Sequence, residues 1–386
     1  MTAPKLRFKS FHQQYQECEL ASLGEIQRGR FTPRPRNDPK YFIGGNIPFV
    51  QTGDIVNAPL YVEKYTQFLN EEGLAVSKQF PACTVFITIA ANIGDTAIAK
   101  EPVACTDSVV AIKTYSNKAD PFWLKYFLDT RKGELDSKAT QNAQKNINLQ
   151  VLRPLKVAAP VIEEQQKVGL FLSKIDQKIS GLTKKHELLI QYKNGVMQKI
   201  FNQEIRFKDS AGKDFPGWEY VPLEEVLDYE QPGRYLVSST EYSDGFDTPV
   251  LTAGKTFLLG YTDEINGIYT DLPVIIFDDF TTAFKFVDFP FKAKSSAMKM
   301  LKNINSDNCL RYIYEAMCRI DFQGGDEHKR YWISQYSKIT IPLPHHDEQI
   351  KILEFSVGID KKIEIIKSKL ELTKQYKQGL LQQMFI

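Results

Sequence analysis

Two basic stretches hold the side chains best suited to chemistry, and that chemistry is the binding of phosphate. Residues 27–42 (QRGRFTPRPRNDPKYF) carry five basic side chains against one acid in a proline-rich frame, and residues 284–302 (FKFVDFPFKAKSSAMKMLK) carry five lysines against one acid. Such side chains neutralise DNA phosphates, and arginines on a loop also read guanine edges. We therefore predict two nucleic-acid patches, with a solvated surface as the alternative for each single residue. The basic residues are Arg28, Arg30, Arg34, Arg36 and Lys40 in the first stretch, and Lys285, Lys292, Lys294, Lys299 and Lys302 in the second.

Two short motifs raise the question of catalysis, and each has a better explanation. The triplet GKT at 254–256 would end a phosphate-binding loop, but that motif needs a glycine where Pro249 stands, so we predict a turn at a strand end. Asp278 and Asp279 could hold a metal in a nuclease, yet no acidic-x-Lys follows, and we favour a solvated turn after a buried strand. The sequence also lacks an amino-methyltransferase motif. We expect a binding protein with no catalytic residue, metal or cofactor of its own.

The composition is that of a globular protein with balanced charge. The 386 residues contain 49 Lys and Arg against 47 Asp and Glu, a net charge of +2, which excludes a uniformly basic coat. The five cysteines are scattered without a paired spacing, which is typical of reduced thiols in a cytoplasmic protein. No apolar run reaches the length of about 18 residues that crosses a bilayer, so we expect no membrane contact.

An internal repeat indicates the elements that position these patches. Residues 160–201 recur at 344–385 without a gap, and roughly four in ten positions are identical. Both copies space apolar residues alternately four and three apart, the heptad pattern of a helix of about 40 residues that pairs with another helix. Two independent surface helices are the alternative. Because the second helix starts from the second globular segment and must return toward the first, we predict an antiparallel pair.

The repeat divides the chain into four segments. Residues 1–159 and 204–343 are rich in short β-like runs punctuated by Gly, Pro, Asn and Asp, and they correspond weakly to each other. Residues 160–203 and 344–386 are the helices. We predict a mixed α/β (α+β) protein with two β-rich globular domains, two long antiparallel coiled-coil helices and an internal pseudo-two-fold repeat.

Lysines and glycines interrupt both helices at matching places. Lys193 and Lys377 fall on the apolar seam, where they either fix the register of the pair or reach past it to solvent, and we favour the second. Gly195 and Gly379 each cost about 1 kcal/mol inside a helix. Their recurrence predicts the close approach of a partner backbone.

The sequence resembles the DNA-specificity (S) subunits of type I restriction-modification systems over essentially its whole length. The resemblance rests on long segments in a fixed order. They are NIPFVQTGDI (46–55), TVFITIAANIGDTAIA (84–99) and QKNINLQVLRPLKVAAPVIEEQQK (144–167) in the first half, and PVIIFDDFTTAFKFVDF (273–289) and HKRYWISQYSKITIPLP (328–344) in the second. The resemblance implies that each globular domain reads one half of an asymmetric bipartite DNA target, and that the helices set the spacer.

The resemblance also implies the partners of the chain. These are double-stranded DNA, two modification (M) subunits that dock on the helices and domains, and restriction (R) subunits. The M subunits would carry S-adenosylmethionine and flip an adenine for N6 methylation, and ATP and Mg would also belong to partner subunits. Two readings from other classes remain open, a stand-alone nuclease and a coiled-coil scaffold that binds proteins.

Candidate DNA-binding residues come from the basic stretches and from positions within the matching segments. The aligned loops carry opposite charges at Asp54 and Lys255, which predicts different target bases for the two domains. The candidates are Arg28, Arg30, Arg34, Arg36, Thr52, Asp54, Asn92, Lys145 and Asn146 in the first domain, and Arg234, Tyr235, Thr252, Lys255, Thr256, Lys285, Lys292, Lys294, Ser295, Ser296, Lys299, Lys329, Arg330 and Tyr331 in the second.

Overall fold

The chain divides into two compact units. One is formed by Met1–Glu187 with Ile365–Ile386 and the other by Leu188–Glu364, so each long helix contributes residues to both. In the described part of the chain every helix is too short or too polar to cross a bilayer. The computed structural model describes residues 3–139, 146–254, 256–322 and 330–386.

Short strands in three sheets build the globular part of the first unit. The strands are β1 (Gln16–Glu19), β2 (Gly24–Arg28), β3 (Ile47–Val50), β4 (Tyr61–Val62), β5 (Gln67–Leu69), β6 (Gln79–Phe80), β7 (Val85–Thr88), β8 (Thr96–Ala99), β9 (Val103–Cys105), β10 (Val109–Thr114) and β11 (Lys156–Ala159). The helices are α1 (Thr52–Val56), α2 (Glu71–Ala75), α3 (Pro121–Thr130), α4 (Lys132–Ala139), α5 (Leu149–Leu152) and the long α6 (Ile162–Phe201). The strand orders are β2-β10-β7-β8-β4, β5-β3-β9-β6 and β1-β11.

The five-stranded sheet is covered on both faces, which explains why its central strands are continuous apolar runs. Every residue of β7 is buried. Ile87 of this strand packs with Trp123 and Leu124 of α3, while its neighbour Phe86 packs with Val50 in a separate cluster. Because successive side chains of a strand point to opposite faces, both must be apolar when neither face meets water.

The second unit repeats this plan with fewer strands. Its strands are β12 (Glu219–Pro222), β13 (Leu227–Glu230), β14 (Thr248–Leu251), β15 (Leu258–Thr262), β16 (Val274–Asp278), β17 (Phe284–Val287), β18 (Lys292–Ala293), β19 (Met298–Asn303) and β20 (Thr340–Leu343). Its helices are α7 (Leu223–Val226), α8 (Leu310–Met317), α9 (Tyr331–Ser334) and the long α10 (His346–Met384). The strand orders are β13-β19-β16-β17, β15-β14-β18 and β12-β20.

The two strand orders correspond sheet by sheet. The order β2-β10-β7-β8 matches β13-β19-β16-β17, β5-β3-β9 matches β15-β14-β18, and β1-β11 matches β12-β20. In both three-strand sets the middle strand pairs antiparallel on one side and parallel on the other. The predicted mixed fold with two β-rich domains and an internal repeat is therefore confirmed.

Each half of α6 packs against a half of α10, and the two run in opposite directions. In the first unit Val168 of α6 shares a core with Met384 of α10. In the second unit Ile200 of α6 shares a core with Ile352 of α10. Low-numbered residues of one helix thus meet high-numbered residues of the other, as in an antiparallel pair, and the heptad pattern supplied the contacts.

The two seam lysines do not reach past the seam to solvent, as we favoured, but pair with carboxylates of the facing helix. Lys377 Nζ lies 2.7 Å from a carboxylate oxygen of Asp176, and Tyr126 donates a hydrogen bond of 2.7 Å to the same group. Lys193 Nζ lies 2.7 Å from Asp360. Asp176 and Asp360 hold equivalent places in the repeat, so one such pair occurs in each unit. These pairs fix which residues of the two helices face each other.

The repeated glycines mark no close approach within this chain. A Cβ atom built on Gly195 or on Gly379 meets no atom of the described structure within 4 Å. The prediction that a backbone approaches there is wrong for the chain itself. Both glycines instead leave open surface on their helices.

The pair between Lys377 and Asp176 is expected to couple the two residues strongly. We predict a coupling free energy of about 1 to 3 kcal/mol in a double-mutant cycle of Lys377→Met and Asp176→Asn, measured by urea unfolding. The matched control is Lys374→Met with Glu371→Gln, an exposed pair 2.9 Å apart on the same helix, where coupling below about 0.5 kcal/mol is expected. Equal coupling in the two cycles would contradict a register-fixing role.

A second duplicated contact holds the start of each long helix, and it was not predicted from the sequence. Glu164 near the start of α6 is fully buried and accepts hydrogen bonds from Arg7 Nε (2.8 Å) and Nη2 (2.7 Å). Glu348 near the start of α10 is also fully buried and accepts from Arg206 Nη2 (2.6 Å) and Trp218 Nε1 (2.9 Å). The first residues of each domain are thereby tied to the long helix that follows that domain.

Candidate nucleic-acid interface

The strand order of the first unit brings several loops to one edge of its two larger sheets. The strands β2, β3 and β7 end there, and β5, β8 and β10 begin there. In each of these antiparallel pairs the last residues of one strand lie opposite the first residues of its neighbour. A main-chain hydrogen bond from Arg30, after β2, to Cys105 of β9 (3.2 Å) joins the two sheets, and one from Thr106 to Val50 (3.2 Å) continues the pairing of β9 with β3. We call this surface the first edge, and it comprises residues 28–37, 51–52, 66–67, 89–92, 106–108 and 146.

Most residues predicted to contact DNA in the first domain lie on the first edge. Asn146 reaches it through an antiparallel bridge with Ala90, just beyond the end of β7. Asn92 is exposed in the same loop, and Thr52 follows β3 at the start of α1. Lys145 adjoins Asn146 in the sequence but is outside the described residues. The exposed basic side chains of this edge are Arg28, Arg30, Arg34 and Arg36.

Asp54 has a structural role instead of the predicted DNA contact. Its side chain is buried, and the carboxylate accepts hydrogen bonds from the main-chain N–H groups of Gln51 (2.8 Å) and Thr66 (3.3 Å). It thus holds the loops that follow β3 and precede β5. A carboxylate engaged in this way has no free approach to a base, so we remove Asp54 from the interface.

Three polar residues of the first edge were not predicted. The carboxylate of Asp107 lies 2.9 Å from Arg36 Nη2, and its main-chain oxygen accepts from the guanidinium of Arg28. The Nε2 of Gln51 donates a hydrogen bond of 2.8 Å to Oε1 of Gln67. The sequence signal for Asp107 is a polar turn between two apolar strands. It says nothing of the two arginines that this turn orients.

The second unit has an equivalent edge. The parallel strands β14 and β18 end there side by side. Main-chain hydrogen bonds from Asp279 to Ala297 (3.0 Å) and from Tyr331 to Asp279 (2.9 Å) join the loops, and a bond from Ile147 to Ile89 (3.0 Å) holds the matching place in the first unit. We call this surface the second edge, and it comprises residues 252–254, 256–257, 279–282, 294–297 and 330.

The second edge gathers a group of predicted residues with hydroxyl, ammonium and guanidinium groups. The described residues 252–254 and 256–257 lie between β14 and β15, so the predicted strand-end turn is confirmed for them. Lys255 and Lys329 are outside the described residues. The predicted residues on this edge are Thr252, Thr256, Lys294, Ser295, Ser296 and Arg330.

Three further predicted residues lie beside the second edge. Arg234 follows β13, is exposed, and pairs with Glu230 at 3.1 Å. Tyr235 donates a hydrogen bond of 2.9 Å to the same carboxylate and packs edge-on against Tyr269. Lys285 is exposed on β17, the outer strand of its sheet. Arg234 and Lys285 extend the basic surface, and all three residues lie outside the loops that form the second edge.

Two predicted lysines and one predicted tyrosine lie in the interior. Lys292 and Lys299 are only 3% and 1% exposed. Their amines lie 2.8 Å from Glu264 and 3.3 Å from Asp279 respectively, the pairing that a buried charge requires. Tyr331 is 3% exposed. We remove these three from the interface, and the prediction of a solvated turn is wrong for Asp279.

Glu264 ties the chain before β14 to the interior. Its carboxylate accepts hydrogen bonds of 2.8 Å from the main-chain N–H groups of Ser238 and Ser239, besides its contact with Lys292. The hydrogen bond from Lys292 and the bonds from the two N–H groups lower the pKa of Glu264 below its ordinary value. The segment that contains Ser238 and Ser239, shortly after Arg234 in the chain, is therefore held by a charged carboxylate.

We expect Glu264 to make the stability of the second unit depend on pH. Because its folded-state pKa lies below the ordinary 4.5, its contribution is present above that pH and is lost as the pH falls through the lowered value. Glu264→Gln should lower Tm by about 2 to 4 °C at neutral pH, the shift that about 1 kcal/mol gives in a domain of this size. Thermal unfolding at several pH values should show the difference shrinking in acid. A difference in Tm that does not change with pH would contradict this expectation. The control is Glu241→Gln, which replaces an exposed carboxylate shortly after Ser239.

The two edges differ from a metal centre in the groups that they offer. Among the described residues, no group of three or more His, Cys, Asp or Glu side chains is placed to hold a metal ion. The edges offer guanidinium, ammonium, amide and hydroxyl groups, which contact phosphates and base edges through hydrogen bonds.

Comparisons with protein-family models and with individual proteins agree on one family. A family model described as "Type I restriction modification DNA specificity domain" matches residues 13–191 and 216–374. The specificity subunit of the type I restriction enzyme EcoR124I/EcoR124II of Escherichia coli is 54% identical over 140 residues, which span 35% of this chain and only 34% of that relative. The MjaVIII specificity subunit of Methanocaldococcus jannaschii is 24% identical over 326 residues, 75% of each chain.

A solved structure shares the fold along the whole chain. It is the S subunit of a type I restriction-modification system from M. genitalium, with a TM-score of 0.66 at 16% sequence identity. The match covers 100% of this chain and 99% of that one. At this identity the likeness shows the fold alone.

Proposed function

The chain belongs to the type I restriction-modification DNA specificity family, and we propose that each of its two recognition domains reads one half of a split double-stranded DNA target. The pair of edges carries this proposal. They occupy equivalent places in a duplicated fold, yet the first bears four exposed arginines with amides and one predicted threonine, while the second bears a single described arginine with lysine, serines and threonines. Equal scaffolds with unlike reading residues suit an asymmetric target, and the helices between them set its spacer.

The long helices carry a repeated apolar patch that suits a partner present in two copies. Leu188 and Tyr192 are 52% and 56% exposed, and their repeat equivalents Leu372 and Tyr376 are 65% and 57% exposed. Each tyrosine lies four residues after its leucine and three before the open glycine, so the three share one helix face. Large exposed apolar groups at a fixed place indicate protein contact. We assign them to two modification subunits, one on each patch.

Charge at the repeated patch should weaken that docking. Tyr192→Asp is expected to reduce binding of one modification subunit about 30-fold or more, as loss of an interface hot spot does, and addition of Tyr376→Asp should remove the second. Native mass spectrometry of the mixed subunits measures the stoichiometry. Gln191→Asp, at the neighbouring exposed position, is the control. Full assembly with both tyrosines replaced would show that docking lies elsewhere.

The chemistry of modification and restriction belongs to the partners in this proposal. Modification subunits bind S-adenosylmethionine and methylate adenine N6 after flipping the base, and restriction subunits use ATP and Mg. This chain contributes no catalytic group and no cofactor. The complex acts in the cytoplasm, where the host DNA lies.

The test combines the purified chain with its modification subunit. Chain and modification subunit together should methylate DNA at one bipartite motif when S-adenosylmethionine is added, whereas either alone should not. Incubation of the chain alone with DNA and Mg²⁺ should leave the DNA intact. Cleavage by the chain alone would establish the nuclease alternative. Assembly without any DNA affinity would establish the scaffold alternative.

A further inference from the structure

A small polar cleft opens on the first edge. Its volume is about 170 Å³, and its lining includes Arg36, Gln51, Gln67 and Asp107 over the buried ring of Phe49. The cleft combines a guanidinium with two amides, the groups that read purines in the major groove. We propose that this cleft reads neighbouring G·C and A·T pairs in the half-site of the first domain, with Arg36 on the guanine and the two glutamines on the adenine. The inference rests on the proposed function and names the bases for one of its sites.

Asp107 explains why Arg36 suits a guanine rather than a phosphate. A carboxylate on a DNA-binding edge repels phosphates, so its presence needs another reason. Its oxygen lies 2.9 Å from Arg36 Nη2, and the Arg36 side chain is still 51% exposed. Asp107 occupies one of five guanidinium N–H groups and orients the rest. A guanidinium held in this way loses less rotamer freedom on pairing with the O6 and N7 acceptors of guanine.

The glutamine pair offers the pattern that adenine requires. Gln51 Nε2 donates to Gln67 Oε1 at 2.8 Å, which leaves the carbonyl of Gln51 and the amide nitrogen of Gln67 for a ligand. If both amides are turned over, one carbonyl and one amide nitrogen still remain. In the major groove adenine alone presents an acceptor, N7, beside a donor, the N6 amine. The main-chain N–H of Gln51 is bonded to Asp54 at 2.8 Å, so the pair stands on a fixed loop.

The second edge has different chemistry at the matching place. Thr252 follows β14 as Gln51 follows β3, and its hydroxyl donates to the main-chain oxygen of Thr256 (3.1 Å) and accepts from the N–H of Gly254 (3.0 Å). This hydroxyl is therefore used within its own turn. The guanine and adenine are assigned to the first half-site only.

The test uses the whole chain assembled with modification subunits on a randomised DNA library, read out as N6-methyladenine by sequencing. Arg36→Lys keeps the charge but loses the planar fork, so preference for guanine at one position of the first half-site should fall about 10- to 100-fold. Gln51→Ala and Gln67→Ala should each reduce the preference for adenine at one neighbouring position. Asp107 is a positioning residue because it acts through Arg36. Asp107→Asn weakens its contact with Arg36 and should therefore reduce the preference for the same guanine that Arg36→Lys affects.

The controls separate base reading from other effects. Arg34→Ala removes a nearby exposed arginine that bonds only main-chain oxygens among the described residues, and it should lower methylation evenly at all sequences without changing the motif. Thermal unfolding confirms that each variant folds. A wild-type complex that methylates a bipartite motif while Arg36→Lys leaves every base preference unchanged would overturn this inference alone. A wild-type complex without any bipartite motif would overturn the proposed function instead.

Discussion

Replacing residues 204–343 with the recognition domain of another specificity subunit is expected to change one half of the methylated motif and to leave the other half unchanged. The reason is that the second edge and the clusters beneath it are formed by residues of the second unit alone. The exchanged domain must bring a basic residue equivalent to Arg206, because Glu348 stays behind as a buried carboxylate.

The exchange is read by mapping N6-methyladenine on a plasmid in cells that carry the modification subunit. Replacement of residues 1–159 is the matched control, and it should change the half that the first exchange preserved. The spacer should stay the same in both, since the helices are untouched. A change of both halves by either exchange would show that the two domains do not read DNA independently.

Loss of Glu348 is expected to be the most damaging single substitution for stability. Glu348→Ala leaves the guanidinium of Arg206 and the Nε1 group of Trp218 without the carboxylate that both contact. Removal of one partner of a buried pair costs about 3 to 5 kcal/mol, a large share of the stability of a domain. Glu164→Ala should act similarly in the first unit, where it frees Arg7.

Urea unfolding measures both losses, and each long helix supplies its own control. Glu163→Ala and Asp347→Ala remove neighbouring acids of the same first turns, both exposed, and should cost less than about 0.5 kcal/mol. If Glu348→Ala were no more destabilising than Asp347→Ala, the buried contact would not be what holds the domain to its helix.

The long helices could be predicted from the sequence because their signal is local. Heptad spacing and repetition describe α6 and α10 without reference to distant residues, and the antiparallel direction followed from connectivity. The pairing of Lys377 with Asp176 could not be predicted in the same way. A seam lysine has the same spacing whether it meets solvent or a carboxylate of another helix.

The loops of the two edges could be predicted from the sequence, but the burial and pairing of single side chains could not. The alignment of the halves brought Thr52 and Thr252 to equivalent edges, as the strand order shows. Lys292 and Lys299 look like DNA-binding residues in a basic stretch, yet their carboxylate partners, Glu264 and Asp279, come from loops that follow other strands. Charge density along a sequence does not show which lysines are neutralised by the fold.

Whether two unlike readers are joined by a helical spacer can be measured by mapping methylated adenines in the host genome with and without this gene. We predict that deletion removes methylation at a single motif of two different half-sites separated by a fixed gap. Methylation that is unchanged by the deletion, or lost from a continuous or symmetric motif, would contradict this prediction.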